Sequence, residues 1–120
     1  MVLLNDFFTI VKHEESTGKT TIALNGKHVV YKGHFPGHPV TPAVIQMKLV
    51  HELLEFRLAY KVKLVSVSQA KFLKILNPEE FNSLEVEIDF TEKDDEILLN
   101  AVGLNQSLVF FKIQAFYTKC

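Results

Sequence analysis

The residues best suited to chemistry lie in one stretch, Gly33 to Glu55, which reads GHFPGHPVTPAVIQMKLVHELLE. His34 leads it, and an imidazole titrates near neutrality, so it can accept and return a proton at working pH. It sits in His34-Phe35-Pro36-Gly37-His38-Pro39, where two prolines and a glycine give a stiff, tightly turned backbone. Directly after it, Thr41 reads as a helix N-cap with Pro42 at the first helical position, where a missing N–H costs nothing. A rigid loop aiming an imidazole at a helix N-terminus is the layout of a site. Further along, Lys48, His51, Glu52 and Glu55 fall at i, i+3, i+4 and i+7 and form one polar stripe. Lys48 and Glu52 are also an ordinary i, i+4 pair of opposite charge, worth a few tenths of a kcal/mol, and a solvated stripe needs no catalytic role.

The elements that must position these residues follow from periodicity. From Thr41 to about Tyr60, Ala43, Met47, Val50 and Leu54 form one apolar row and Leu49, Leu53 and Phe56 another, which predicts a helix buried on most sides. Phe7 to Glu15 reads as a strand ending in a polar turn, and Lys19 to Leu24 as a second strand. Asn25-Gly26 is the strongest two-residue hairpin signal in the chain, and Val29 to Tyr31 reads as a short extended piece. Leu64 to Ile75 predicts a long strand bent near Ser68-Gln69-Ala70, with Pro78 outside it. Leu84 to Phe90 alternates apolar with acidic residues, so one face is buried and one wet. Turns at Lys93-Asp94-Asp95 and Asn105-Gln106-Ser107 then lead into Glu96 to Leu104 and Leu108 to Thr118, an antiparallel meander. The expected fold class is α+β, one long helix against a curved antiparallel sheet of five to seven strands.

Composition narrows the function classes. The 120 residues, 48% hydrophobic, suit a single domain over 1–120 with one core. A net charge of −1 with interspersed signs offers no basic patch for nucleic acid. The opening MVLLNDFFTIVKHEE fits neither a signal peptide nor a membrane span, so the expectation is no membrane and a cytoplasmic location. Cys120 is the single cysteine and excludes an intramolecular disulfide. The histidines form no H-x-x-E-H motif, and neither a metal nor another cofactor is expected. His13 and His28 lie on or beside polar turns and read as surface residues.

The stretch His34-Phe35-Pro36-Gly37-His38-Pro39-Val40-Thr41-Pro42 resembles the loop signature of the 3-hydroxyacyl-ACP dehydratases, H-F-P-G-x-P-[IV]-M-P-G followed by a helix. It departs at Thr41, where the signature has methionine, and at Ala43, where it has glycine. Ala70-Lys71-Phe72 with Pro78 is similar to the family's A-R-F strand and following proline. The resemblance implies the hot-dog fold, a sheet wrapped around a central helix, and a site shared between subunits. It places the family's histidine on His34 and the family's helix carboxylate, which belongs to the other subunit, on Lys48. The implied substrate contacts are Phe35, Gly37, Pro42 and the amide of Ala43, with Glu52 one turn beyond Lys48.

The implied reaction removes an α-proton from a 3-hydroxyacyl thioester and expels the β-hydroxyl, so a base and a proton donor must face one substrate segment. An amide at the helix N-terminus suits the developing enolate-like oxygen. Lys48 is a weaker acid than the carboxylic acid it replaces. The resemblance therefore implies an enzyme of fatty acid or polyene biosynthesis, acting on an acyl carrier protein or coenzyme A thioester. A second reading is a catalytically weak hot-dog subunit that binds acyl-ACP or completes a heteromeric dehydratase, and a third is an acyl thioesterase. All three imply a homodimer, a higher oligomer or a heteromer with a carboxylate-bearing subunit. Phe56, Phe72, Phe110 and Phe111 are the residues expected to limit the acyl tunnel.

Overall fold

The computed structural model describes residues 2–32 and 39–120. Strands β1 (Phe8–Glu14) and β2 (Lys19–Leu24) precede helix α1 (Ala43–Leu58), which is followed by β3 (Val62–Phe72), β4 (Ser83–Lys93), β5 (Glu96–Asn105) and β6 (Leu108–Lys119). The pairings among these six strands are antiparallel, in the order β1-β2-β4-β5-β6-β3. The meander expected of the last three strands is therefore present. The strand that follows the helix instead crosses to the far edge beside β6.

Alternation explains the sheet. In β4, Leu84, Val86 and Ile88 are buried; in β6, Phe111, Ile113, Ala115 and Tyr117 point the same way, into a core shared with Leu49, Val50, Leu53 and Leu54 of α1. The sheet covers Val50 and Leu54 of one predicted row and Leu49 and Leu53 of the other, while Ala43 at the head of the first row and Phe56 at the end of the second stay exposed, so the helix is buried on one side and not on most sides. Gly103 sits where a Cβ would overlap the ring of Phe111, so this strand position needs glycine for the aromatic to lie flat across it. Arg57 ties the end of the helix to the sheet, donating through Nη1 to the Ile88 carbonyl at 3.0 Å and lying over the Phe90 ring.

Several boundaries differ from the sequence reading. The helix starts at Ala43 with Pro42 as its N-cap residue, and among the described residues no side chain caps it. It stops at Leu58, because Ala59 turns left-handed at φ 63° and donates its N–H to Glu55. Val29–Tyr31 is a 3-10 turn, not an extended piece. Asn25-Gly26 turns the chain but closes no hairpin, since both ladder partners of β2, β1 and β4, lie elsewhere. His28 is buried, not a surface residue: its Nδ1 accepts from the Val30 N–H and its Nε2 faces Asp6 at 3.1 Å. The ring thereby caps the 3-10 turn. The bend in β3 is present as register shifts between Leu64 and Ser66 and between Val67 and Gln69.

Beyond Val62, β3 is exposed along its whole length, and Leu64, Val65, Val67 and Phe72 stand open beside Phe116. Among the described residues its only ladder is with β6. Among the described residues no helix is long and apolar enough to cross a membrane.

Candidate functional site

His34, Phe35 and Gly37 lie outside the described residues; the residues on either side of them are held firmly. Tyr31 Oη and Thr41 Oγ1 share a hydrogen bond of 2.8 Å, and both side chains are buried. Burial raises the Tyr31 hydroxyl above its ordinary pKa, with the Thr41 contact acting in the opposite sense. Thr41 also donates its N–H to the Leu76 carbonyl at 2.9 Å and accepts from Gln46 Nε2 at 3.0 Å on its own carbonyl. All three polar groups of Thr41 are thus engaged, which is why it does not cap the helix.

The chain enters α1 through Pro42 at φ −60° and ψ 149°. Ala43, exposed, opens the first turn; the Ile45 N–H already donates to the Pro42 carbonyl at 3.1 Å, while those of Ala43 and Val44 have no carbonyl within the helix to reach. A pocket of about 260 Å³ lies against this end, lined by Val40, Thr41, Ala43, Gln46, Phe72 and Leu73 among others. Gln46 is a residue that periodicity passed over, though the signal was there: a glutamine between Ile45 and Met47, at a position facing the core. It is 3% exposed.

Lys48 belongs to a different opening. Its ammonium is partly exposed and lies 3.9 Å from Glu52 Oε2. A cavity of about 390 Å³ runs along this side of the helix past Leu4, Lys48, Glu52, Phe56, Tyr60 and Lys61. Within one chain, then, Ala43 and Lys48 open onto separate pockets. Glu52 is not part of a wet stripe as the spacing suggested, because it is 9% exposed. Its Oε1 accepts from the N–H groups of Leu3 and Leu4, and its Oε2 from Leu3 at 2.8 Å. Both oxygens are committed to holding the N-terminal segment against the helix.

The remaining members of the predicted stripe are also engaged. His51 Nε2 donates to the Val62 carbonyl at 3.0 Å and Glu55 Oε2 accepts from the Val62 N–H at 2.9 Å. Two residues one turn apart on α1 therefore grip both backbone groups of the first residue of β3. Tyr117 packs its ring edge-on to His51, and burial, with the Glu55 charge secondary, pushes its hydroxyl to a pKa of about 12. Phe110 and Phe111 are fully buried in the core, while Phe56 and Phe72 remain exposed enough to border the two pockets.

Comparison with known proteins places these features in context. A family model described as ApeI-like, ApeI dehydratase, matches residues 10–107. The chain is 26% identical over 116 residues to the 3-hydroxyacyl-[acyl-carrier-protein] dehydratase FabZ of Ligilactobacillus salivarius, covering 90% of this chain and 76% of that protein. Among solved structures it is similar to the dehydratase heterocomplex ApeI:P from Xenorhabdus doucetiae, with a TM-score of 0.75 and 23% identity over 92% of this chain and 96% of that one. A sigma28-regulated virulence protein of Campylobacter jejuni superposes with a TM-score of 0.65 at 11% identity, covering 96% of this chain and 85% of that one. The fold is the hot-dog fold.

Proposed function

The chain belongs to the ApeI-like dehydratase family, and from that membership we propose that it acts on or binds a 3-hydroxyacyl thioester, carried by acyl carrier protein or coenzyme A, in fatty acid or polyene biosynthesis. The observation that carries this reading is the uncapped start of α1, entered through Pro42 next to the loop that resembles the dehydratase signature. In this reading His34 takes the proton from C2, the C2–H electrons form the C2=C3 double bond, and the C3–O bond breaks. The hydroxyl leaves as water after receiving a proton from Lys48 or from a carboxylic acid on a partner. The Ala43 N–H, at the positive end of the helix, steadies the charge that develops on the thioester oxygen. Phe35, Gly37 and Pro42 shape the approach of the chain.

A second reading has its own support: a subunit of low activity that completes a heteromeric dehydratase. Ala43 and Lys48 face different pockets of one chain, and among the described residues the apolar edge of β3 is unpaired, so a second hot-dog subunit seated along β3 would cover that edge and could share its site with this one. An acyl thioesterase ranks third. Purified protein given 3-hydroxyacyl-ACP, with enoyl product followed by mass spectrometry and His34→Ala alongside, tests the first reading. Product that depends on His34 supports it. Silence that turns to activity on adding a carboxylate-bearing partner, or in Lys48→Glu, supports the second, and free thiol with fatty acid supports the third.

A further inference from the structure

Gln46, which lines the pocket at the start of α1, carries a polar atom whose bonding is incomplete. Gln46 is buried, and its Nε2 is spent on the Thr41 carbonyl at 3.0 Å. That bond fixes which end of the carboxamide is which. Its Oε1 is buried and, among the described residues, has no hydrogen-bond partner. A buried acceptor left unpaired is unfavourable enough that native proteins seldom retain one without a reason. Gln46 lines the same pocket as Ala43 and stands three residues after it, so the two share a helix face about 4.5 Å apart along the axis.

This end of the helix therefore offers a complementary pair: backbone N–H donors in the first turn and a side-chain acceptor one turn in. A 3-hydroxyacyl thioester has the matching pair, a carbonyl acceptor and, two carbons on, a hydroxyl donor. The geometry points to Gln46 as a specificity-determining residue whose Oε1 accepts the hydrogen bond of the substrate's 3-hydroxyl group while the thioester carbonyl faces the helix N-terminus. This rests on the acyl-thioester reading and deepens it, since it separates hydroxyacyl chains from saturated ones. A site built to pair with a hydroxyl disfavours the analogue that lacks it, because its own polar atom is then left unpaired.

The test uses two probes that cannot be turned over, the amide-linked pantetheine analogues of 3-hydroxyoctanoyl and octanoyl thioesters, titrated into the intact protein by calorimetry. The hydroxylated probe is expected to bind roughly 10-fold more tightly to the unaltered protein. In Gln46→Met, which keeps volume and removes the acceptor, the ratio should fall to about one. Gln46→Leu replaces it if circular dichroism shows that the methionine variant does not fold. Equal binding of the two probes to the unaltered protein, or a ratio that survives the substitution, overturns the role of Gln46 while leaving the thioester reading intact. Failure of both probes to bind overturns both.

Discussion

Tyr31 and Thr41 share a buried hydrogen bond of 2.8 Å that joins the two ends of the segment carrying His34. The dehydratase signature has methionine at the position of Thr41, and a thioether offers no comparable partner for a phenol. The departure from the signature thus comes with its own compensation, a hydroxyl pair that closes the base of the loop. Removing one member leaves the other buried and unpaired, at a cost of about 1–3 kcal/mol. Tyr31→Phe and Thr41→Val should each lose that much stability in urea titrations, and the double variant should lose less than the sum of the two. Additive losses would show that the two hydroxyls are not coupled.

Lys48 and Glu52 look like equal partners in sequence, but their environments separate them. Glu52→Ala strands the N–H groups of Leu3 and Leu4, and a loss of about 2–3 kcal/mol is expected. Hydrogen exchange at those two amides should accelerate along with it. Lys48→Met removes a partly exposed ammonium 3.9 Å from its partner and should cost less than about 1 kcal/mol. A change in activity in that variant would then report chemistry and not folding.

Gly103→Ala should destabilise the protein by about 1–3 kcal/mol through overpacking, since the new methyl group meets the Phe111 ring. Combining it with Phe111→Leu should recover part of the loss. The measurement is the midpoint of thermal unfolding for the two single variants and the double one.

Stability should decline in alkali for a reason that can be traced to Tyr117. Its pKa is raised from 10.0 to about 12 in the fold, so the folded state keeps a proton that the unfolded chain loses first. The associated stability is complete below pH ~10 and is lost as pH rises through about 12, an effect of order 2 kcal/mol. Tyr117→Phe should therefore show a shallower fall in unfolding free energy across that range. An unchanged slope would assign the alkaline loss to other groups, among them Tyr31, which burial also raises.

If β3 is a subunit edge, charge placed there should keep subunits apart. Val65 and Val67 are exposed on it, so Val65→Lys with Val67→Lys should reduce the mass seen by light scattering to that of one chain. Far-UV circular dichroism should stay unchanged. A mass of one chain for the unaltered protein would count against every shared-site reading.

How much of this was legible in the sequence depends on how local the cause is. The alternation of Leu84, Val86 and Ile88 against Glu85, Glu87 and Asp89 reports a half-buried strand by itself, and β2 matches its predicted span, although its buried face includes Thr20 beside Ile22 and Leu24. Asn25-Gly26 does turn the chain, but a hairpin also needs a strand to follow, and His28 instead folds its ring back onto the Val30 N–H. Glu52 was misjudged because its cover comes from Leu3 and Leu4, far away along the chain, where helical spacing carries no information. The same holds for Thr41, whose hydroxyl had a nearer suitor in Tyr31 than the helix it precedes. The loop resemblance reached the fold and the family, while periodicity passed over Gln46 because it scores apolar rows and not the bonds of a single amide.

The grip of His51 and Glu55 on Val62 has a mechanical consequence. The root of β3 is fastened to α1 by two hydrogen bonds of 3.0 and 2.9 Å, and among the described residues its far end is laced only to β6. The start of the strand and the second half of the helix are therefore held in one fixed relation, and His51 and Glu55 make Val62 the joint between the two elements.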